Sequence, residues 1–246
     1  MAPYTRMHDR VLIVAHPGHE LRLFGWMRQN KILLCILTDG SGGGTQARLQ
    51  YSAALASACG AARGPVFGQR SDRDWYADIL AGNPVPFLDA ADRIARVAPA
   101  GAVVVADPVE GYNPMHDLTA AVADRVAAQI GGRRETFALT LPLPGAPSAL
   151  DEATVAAKRA ALAAYSPLAD EAAALLSSHP QALHDERLVP AGHDWPAVPT
   201  KVPAYERFGE DRIATGRYRT IIRYVDHVRP IALALRRTAA LVPQGH

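Results

Sequence analysis

Three short apolar runs constrain the fold of this chain more than any other feature: residues 11–15, the stretch KILLCILT at 31–38, and the valines of GAVVVADP. Runs this short and β-branched read as buried strands. Helical patterns lie between them at 45–59, near 72–81 and at 87–98. That alternation predicts an α/β domain on a parallel, doubly wound sheet. A short helix is expected at 21–29, a short apolar stretch at 65–67, a helix at 118–130 stopped by Gly131-Gly132, and a strand at 136–141. Ala-rich helical patterns come next at 151–165 and 167–177, and then a long irregular region at about 178–208, of the kind that forms lids or binding surfaces. The last helical pattern, 218–241, has a buried stripe through Ile221, Val225, Val228 and Leu235, and Pro230 is expected to kink or break it.

The strands end in chemically dense segments. The first run empties into His16-Pro17-Gly18-His19-Glu20, where Pro17-Gly18 forces a turn. The second ends at Asp39-Gly40, and the third at Asp107, leading through Glu110, Gly111, Tyr112 and Asn113 to His116 and Asp117. All three endings fall on one sheet edge, where open α/β sheets bind ligands. Two imidazoles three residues apart on a tight turn can converge on one zinc ion, and His116 is the natural third ligand. The loop GSGGG at 40–44 matches neither GxGxxG nor GxxxxGK[ST] and reads as a flexible cover over the site, with Thr45 able to cap the helix after it.

Composition narrows the remaining classes. With 246 residues, 49% of them hydrophobic, the chain can bury one sizeable core, so one domain over 1–246 is expected, with the 178–208 loop and a C-terminal helical region. A net charge of +2 gives no reason to expect nucleic acid or an acidic membrane surface as a partner. Cys35 and Cys59 read as small buried hydrophobes. The opening MAPYTRMHDR lacks the apolar region of a signal peptide, and no 18 apolar residues run together. The expectation is a cytoplasmic protein without a membrane span, with self-association left open.

The motifs AHPGHE, LTDG and Gly-Tyr-Asn-Pro-Met-His resemble, in order and strand context, those of the PIG-L/LmbE family of zinc-dependent de-N-acetylases. That family's pattern is a strand and AHPDDE, a strand ending in TDG or TNG, and a Tyr-x-HPDH-like segment opening a helix. The resemblance covers most of the first 165 residues and, less diagnostically, AYERFGEDRIATGRYRTIIRYVDHVRP. It implies a Rossmann-like, mostly parallel sheet with flanking helices. It also implies release of acetate from N-acetylglucosamine-type groups in glycolipids, low-molecular-weight thiols and antibiotics.

Carried over position by position, the resemblance puts His16 at the first zinc-ligand position and His116 at the His closing HPDH. His19 replaces a ligand Asp, which turns the implied Zn2+ site toward three His. Tyr112 matches a Tyr that helps polarise the carbonyl, Arg48 an Arg that contacts substrate, and Asn113 stands where a His is frequent. Apart from the resemblance, the residues of the long irregular region make His193-Asp194-Trp195 a candidate border of a pocket. The family's proposed general base is an Asp, and Gly18 occupies its place. General acid–base catalysis contributes about 10²–10⁴-fold, so another group must act: Asp39 and Asp117 are the leading candidates, with Glu20 nearest in sequence and Asp107, Glu110 and His193-Asp194 also available. The expected function is zinc-dependent removal of an acyl (acetyl) group from an N-acylated amino sugar or related small metabolite, free or in a glycoconjugate. Gly18 keeps an alternative open: a non-hydrolytic metal- or sugar-binding protein, or one recruited to another reaction. On sequence, Gly18→Asp should separate the two by restoring the missing side chain.

Overall fold

The computed structural model describes residues 8–42, 48–139 and 150–239. Strands β1 (Arg10–Val14), β2 (Ile32–Thr38), β3 (Ala62–Arg70), β4 (Val103–Ala106), β5 (Arg133–Phe137) and β6 (Leu188–Pro190) form one sheet in the order β3-β2-β1-β4-β5-β6. Every pairing is parallel except β5 with β6. Arg10 stands beside Ile32 on one side and Val103 on the other, so β1, β2 and β4 end nearly level.

The three apolar runs are buried because helices cover both sheet faces. The described helices are α1 (Phe24–Gln29), α2 (Leu49–Cys59), α3 (Asp72–Leu80), α4 (Val85–Ala95), α5 (Pro114–Ile130), α6 (Glu152–Ala164), α7 (Ala169–Ser178), α8 (Ala204–Ala214) and α9 (Arg229–Ala239). Strand residues alternate between faces. Val11, Ile13, Cys35 and Val104 pack with Trp75, Phe87, Leu118 and Ile231, whereas Leu12, Val14, Ile36 and Val105 pack with Phe24, Leu55 and Tyr165. Connections leave β1 toward β2 and β3 on one side and return to β4 on the other. The crevice between the carboxyl ends of β1 and β4 is therefore the switch point at which such sheets hold ligands.

Several expected boundaries move for identifiable reasons. The short apolar stretch at 65–67 lies inside the nine-residue β3, an edge strand whose register with β2 shifts twice and which therefore tolerates Pro65. Helix α5 starts at Pro114, ahead of the expected 118, because Asn113 caps it by accepting the Met115 N–H and Pro114 needs no amide partner at the first position. His116 and Asp117 thereby stand on its first turn. Strand β5 covers 133–137 where 136–141 was expected, and the long irregular region contains a 3₁₀ turn (Pro180–Leu183), β6 and the start of α8. The final pattern divides into a π-helical turn (Tyr224–Val228) and α9, and Pro230 occupies the first turn of α9, where it starts a helix instead of breaking one. Gly43, Gly44 and the Thr45 cap lie outside the described residues. Cys35 and Cys59 are buried and free, and no described helix is long and apolar enough to cross a membrane.

Candidate active site

The turn after β1 is set by one backbone conformation. Gly18 has φ +109°, a region L side chains rarely adopt, and a Cβ there would collide with Leu168 Cδ1. Gly18→Asp is thus not the simple restoration expected from sequence, because strain and collision arrive with the carboxylate. Glu20 lies beneath the turn, fully buried, accepting the Gly18 N–H at 2.8 Å and the Ser52 hydroxyl, while Ser52 also contacts the Tyr165 hydroxyl at 3.1 Å. Burial pushes the Glu20 pKa up against these hydrogen bonds. Its observed contacts are those of a support for the turn.

Above that support, three imidazoles meet at the sheet edge. Ring centroids of His16, His19 and His116 are 5.3, 5.4 and 4.7 Å apart pairwise, all edge-on. His19 Nδ1 lies 2.9 Å from Asp107 Oδ2, an oxygen that also accepts the Ala15 N–H at 2.7 Å. Burial alone would lower the His19 pKa, but the Asp107 charge and hydrogen bond override it and raise the value. His16 Nδ1 contacts Thr38 Oγ1 at 3.0 Å and lies 3.0 Å from Asp72 Oδ1. The second distance lacks hydrogen-bond alignment, and Asp72 Oδ1 has no hydrogen-bond partner. Burial would raise the Asp72 pKa, yet His16 and the Gly42 amide hold it below the ordinary range.

His116 is different. Burial and then the like charges of His19 and His16 push its pKa well below the ordinary imidazole value, and its buried Nδ1 has no hydrogen-bond partner. A buried polar atom without a partner costs about 1–3 kcal/mol, and a neutral imidazole nitrogen is a metal donor. Carboxylates behind His16 and His19 are the usual outer partners of metal-ligating histidines. These are donor types that zinc accepts, but among the described residues no group of three or more His, Cys, Asp or Glu is arranged so that it could hold a metal ion.

The other rim of the crevice comes from the β4 loop and α5. Asn113 Oδ1 accepts from the Tyr76 hydroxyl at 2.9 Å as well as from Met115, and its amide nitrogen is 3.4 Å from His16 Nε2. Tyr112 is 49% exposed, its ring 6.4 Å from His116 and 5.9 Å from Phe208 of α8. Asp117 is buried and accepts the Glu110 and Gly111 N–H groups at 3.1 Å each, so it holds the loop that presents Tyr112. Burial pushes its pKa up to about 7.

The remaining sequence candidates stand apart from the imidazoles. Asp39 Oδ1 accepts from the Ser41 and Asp72 N–H groups, at 2.9 and 3.2 Å. No hydrogen bond or ion pair joins Glu20, Asp39 or Asp117 to any of the three rings. Arg48 pairs with Glu171. His193 stacks edge-on against Trp195 at 4.4 Å, contacts the Tyr224 hydroxyl at 3.2 Å and borders a cleft of about 280 Å³ behind Asp107. Asp107, a base candidate on sequence, is committed to His19. Asp72, Thr38 and Tyr76 carry no signal in the sequence reading beyond the position of Asp72 in SDRDW, just past the carboxyl end of β3.

No family model matches the chain, and no curated protein does. Among solved structures, the chain is similar to the deacetylase Dbv21 of the antimicrobial A40926 pseudoaglycone, 18% identical with a TM-score of 0.53 over 76% of this chain and 100% of that one. It is also similar to the zinc-inhibited form of the teicoplanin deacetylase Orf2 (14%, TM-score 0.46, 65% and 84% of the two chains) and to a deacetylase–teicoplanin complex (13%, 0.45, 64% and 86%). The first of these likenesses supports the α/β fold with its mostly parallel central sheet.

Proposed function

We propose that this chain is a zinc-dependent hydrolase that removes an acyl group, in the first instance acetyl, from an N-acylated amino sugar or a glycoconjugate carrying one. The observation that carries this reading is the meeting of His16, His19 and His116 at the switch point, with buried carboxylates behind the first two and an unpartnered nitrogen on the third. The sequence resemblance to PIG-L/LmbE de-N-acetylases points the same way, and so does the deacetylase activity of Dbv21.

In this reading His16, His19 and His116 hold the ion. The chemistry zinc supplies when bound is Lewis acidity toward the acyl oxygen and activation of water. Asp107 accepts from His19 Nδ1 and so orients that ring, and Thr38 Oγ1 orients His16 through its Nδ1, with Asp72 beside it. Tyr112, exposed above His116, donates its hydroxyl to the negative charge developing on the acyl oxygen. Asn113 fixes one side of the crevice through Tyr76. Of the sequence-derived carboxylates, Glu20, Asp39 and Asp117 are all committed to backbone amides, so none of the three is assigned the proton transfer.

Gly18 and Leu168 favour a second reading, in which the site binds a metal and a sugar without hydrolysis, because Leu168 fills the space a side chain at 18 would need. Elemental analysis of the purified full chain, with an assay of acetate release from N-acetylglucosamine, tests both. One zinc per chain and acetate release that His116→Ala abolishes are expected. Stoichiometric zinc without acetate release from any N-acylated sugar selects the second reading, and absence of zinc binding removes both.

A further inference from the structure

The three imidazoles are not equally available. His116 keeps a buried Nδ1 without a partner, whereas both nitrogens of His16 are engaged. The neighbours of His16 determine which of its nitrogens carries the proton. On one side, Nδ1 faces Thr38 Oγ1 at 3.0 Å and, at the same distance, Asp72 Oδ1. A carboxylate oxygen only accepts. A bare ring nitrogen that close would be repelled, so the proton belongs on Nδ1. On the other side, Nε2 lies 3.4 Å from the Asn113 amide nitrogen. The orientation of that amide is fixed independently of His16, because Asn113 Oδ1 accepts the Met115 N–H at 2.8 Å as the cap of α5, and also the Tyr76 hydroxyl at 2.9 Å. A backbone N–H cannot accept, so the amide oxygen has to face Met115 and the NH2 group has to face His16. Both sides agree on one tautomer, with the proton on Nδ1 and the Nε2 lone pair toward the crevice. That lone pair is already in use.

We propose that Asn113 guards the metal-binding nitrogen of His16: its amide, held by Tyr76 and by the first turn of α5, stays on Nε2 until a divalent cation displaces it. This accounts for the combination at the switch point, where three rings lie 4.7 to 5.4 Å apart pairwise and are still not arranged to hold an ion. A cation that binds His16 has to turn the amide aside, so the hydrogen bonds of Tyr76 and of the α5 cap oppose metal uptake. Thr38 remains on Nδ1 throughout. Removing the amide donor therefore frees Nε2 without loosening the ring. The inference rests on the metal site proposed above and goes beyond it by naming what sets the affinity of that site for a cation.

Two measurements on the full chain test this. Long-range proton–nitrogen NMR spectra after chelator treatment read the tautomer directly, and His16 is expected with its proton on Nδ1. A proton on Nε2 overturns the inference, since the amide would then face an N–H. Zinc affinity is measured next, by competition with a chromophoric chelator. Asn113→Ser keeps a side chain that caps α5 but is too short to reach His16, and it is expected to tighten zinc binding about two- to tenfold, the span of one hydrogen bond. Tyr76→Phe removes only the hydroxyl that steadies the amide and should tighten binding less. It carries the same test if Asn113→Ser does not fold. A gain in affinity separates this role from a structural one, because damage to the start of α5 would weaken binding. Unchanged or weaker binding in Asn113→Ser, with the parent holding one zinc, overturns the guard and leaves the metal site. Tightening without acetate release from N-acetylglucosamine keeps the guard and removes the deacylase reading. No zinc binding by the parent or by either variant overturns both.

Discussion

The two chain segments that meet at the switch point are built on opposite principles. The turn after β1 is buttressed from below and above: Glu20, itself held by the Ser52 hydroxyl, accepts the Gly18 amide from the core side, and Leu168 closes over Gly18. The loop after β4 is held at its helical end by Asn113 and Asp117 and toward α8 by the Tyr205 N–H on the Gly111 carbonyl, yet it leaves Tyr112 half in solvent. The first segment contributes the two imidazoles whose geometry must be fixed. The second contributes the groups that would have to meet a substrate of variable shape. Rigid elements are where a metal site gains its precision, and loops are where recognition varies.

The contrast breaks most visibly at the imidazoles. His19→Ala or His116→Ala is expected to remove high-affinity zinc binding altogether, and Asp107→Asn to weaken it by about 10–100-fold, read by competition with a chromophoric chelator. If Asp107→Asn binds zinc as tightly as the parent, the buttressing of His19 is not what shapes the site. Chelation should also lower the melting temperature of the parent chain, through loss of linked binding energy, and leave that of His116→Ala where it was.

Gly18→Ala comes next, at about 2–4 kcal/mol from positive φ and overpacking together. Combining it with Leu168→Ala should recover the overpacking part, so the two changes will be non-additive in chemical denaturation. Strict additivity would mean that Leu168 does not hold the turn. On the other segment, Asp117→Ala leaves two amides without their acceptor and is expected to cost about 2 kcal/mol. Hydrogen exchange should quicken at Glu110 and Gly111, with no change at Gly18. Exchange that rises equally in both segments would contradict their independence. The smallest effect is expected at Arg48→Ala, whose exposed pairing with Glu171 carries about 0.5 kcal/mol or less. A substantial loss of substrate affinity there would restore Arg48 to the binding surface.

The fold was legible where hydrophobic patterning is dense. The runs that became β1, β2 and β4 could hardly be anything but buried strands, and the His, Asp and Tyr residues beyond them had to share one edge once the sheet was parallel. Asp72 was not legible, because an acid on the first turn of a helix looks like an ordinary dipole partner; only the placement of β3 beside β2 brings it to His16. Gly18 was visible as a missing side chain, but not as a required glycine, since the obstacle is Leu168 from a distant part of the chain. Asp117 looked like a free acid before its neighbours, the Glu110 and Gly111 amides, were in view. Pro230 misled because its effect depends on where the helix begins, which the π-helical turn before it decides.

The margins of the sheet bear on how this protein can meet another copy of itself. One outer strand, β3, contains Gly64, Pro65 and a left-handed Gly68 and slips twice against its neighbour; the other, β6, is three residues long. Neither offers the long, regular row of free amides and carbonyls that a second chain could continue. Among the described residues, cross-molecule sheet extension, and the fibrous aggregation that begins with it, is thus disfavoured at both borders.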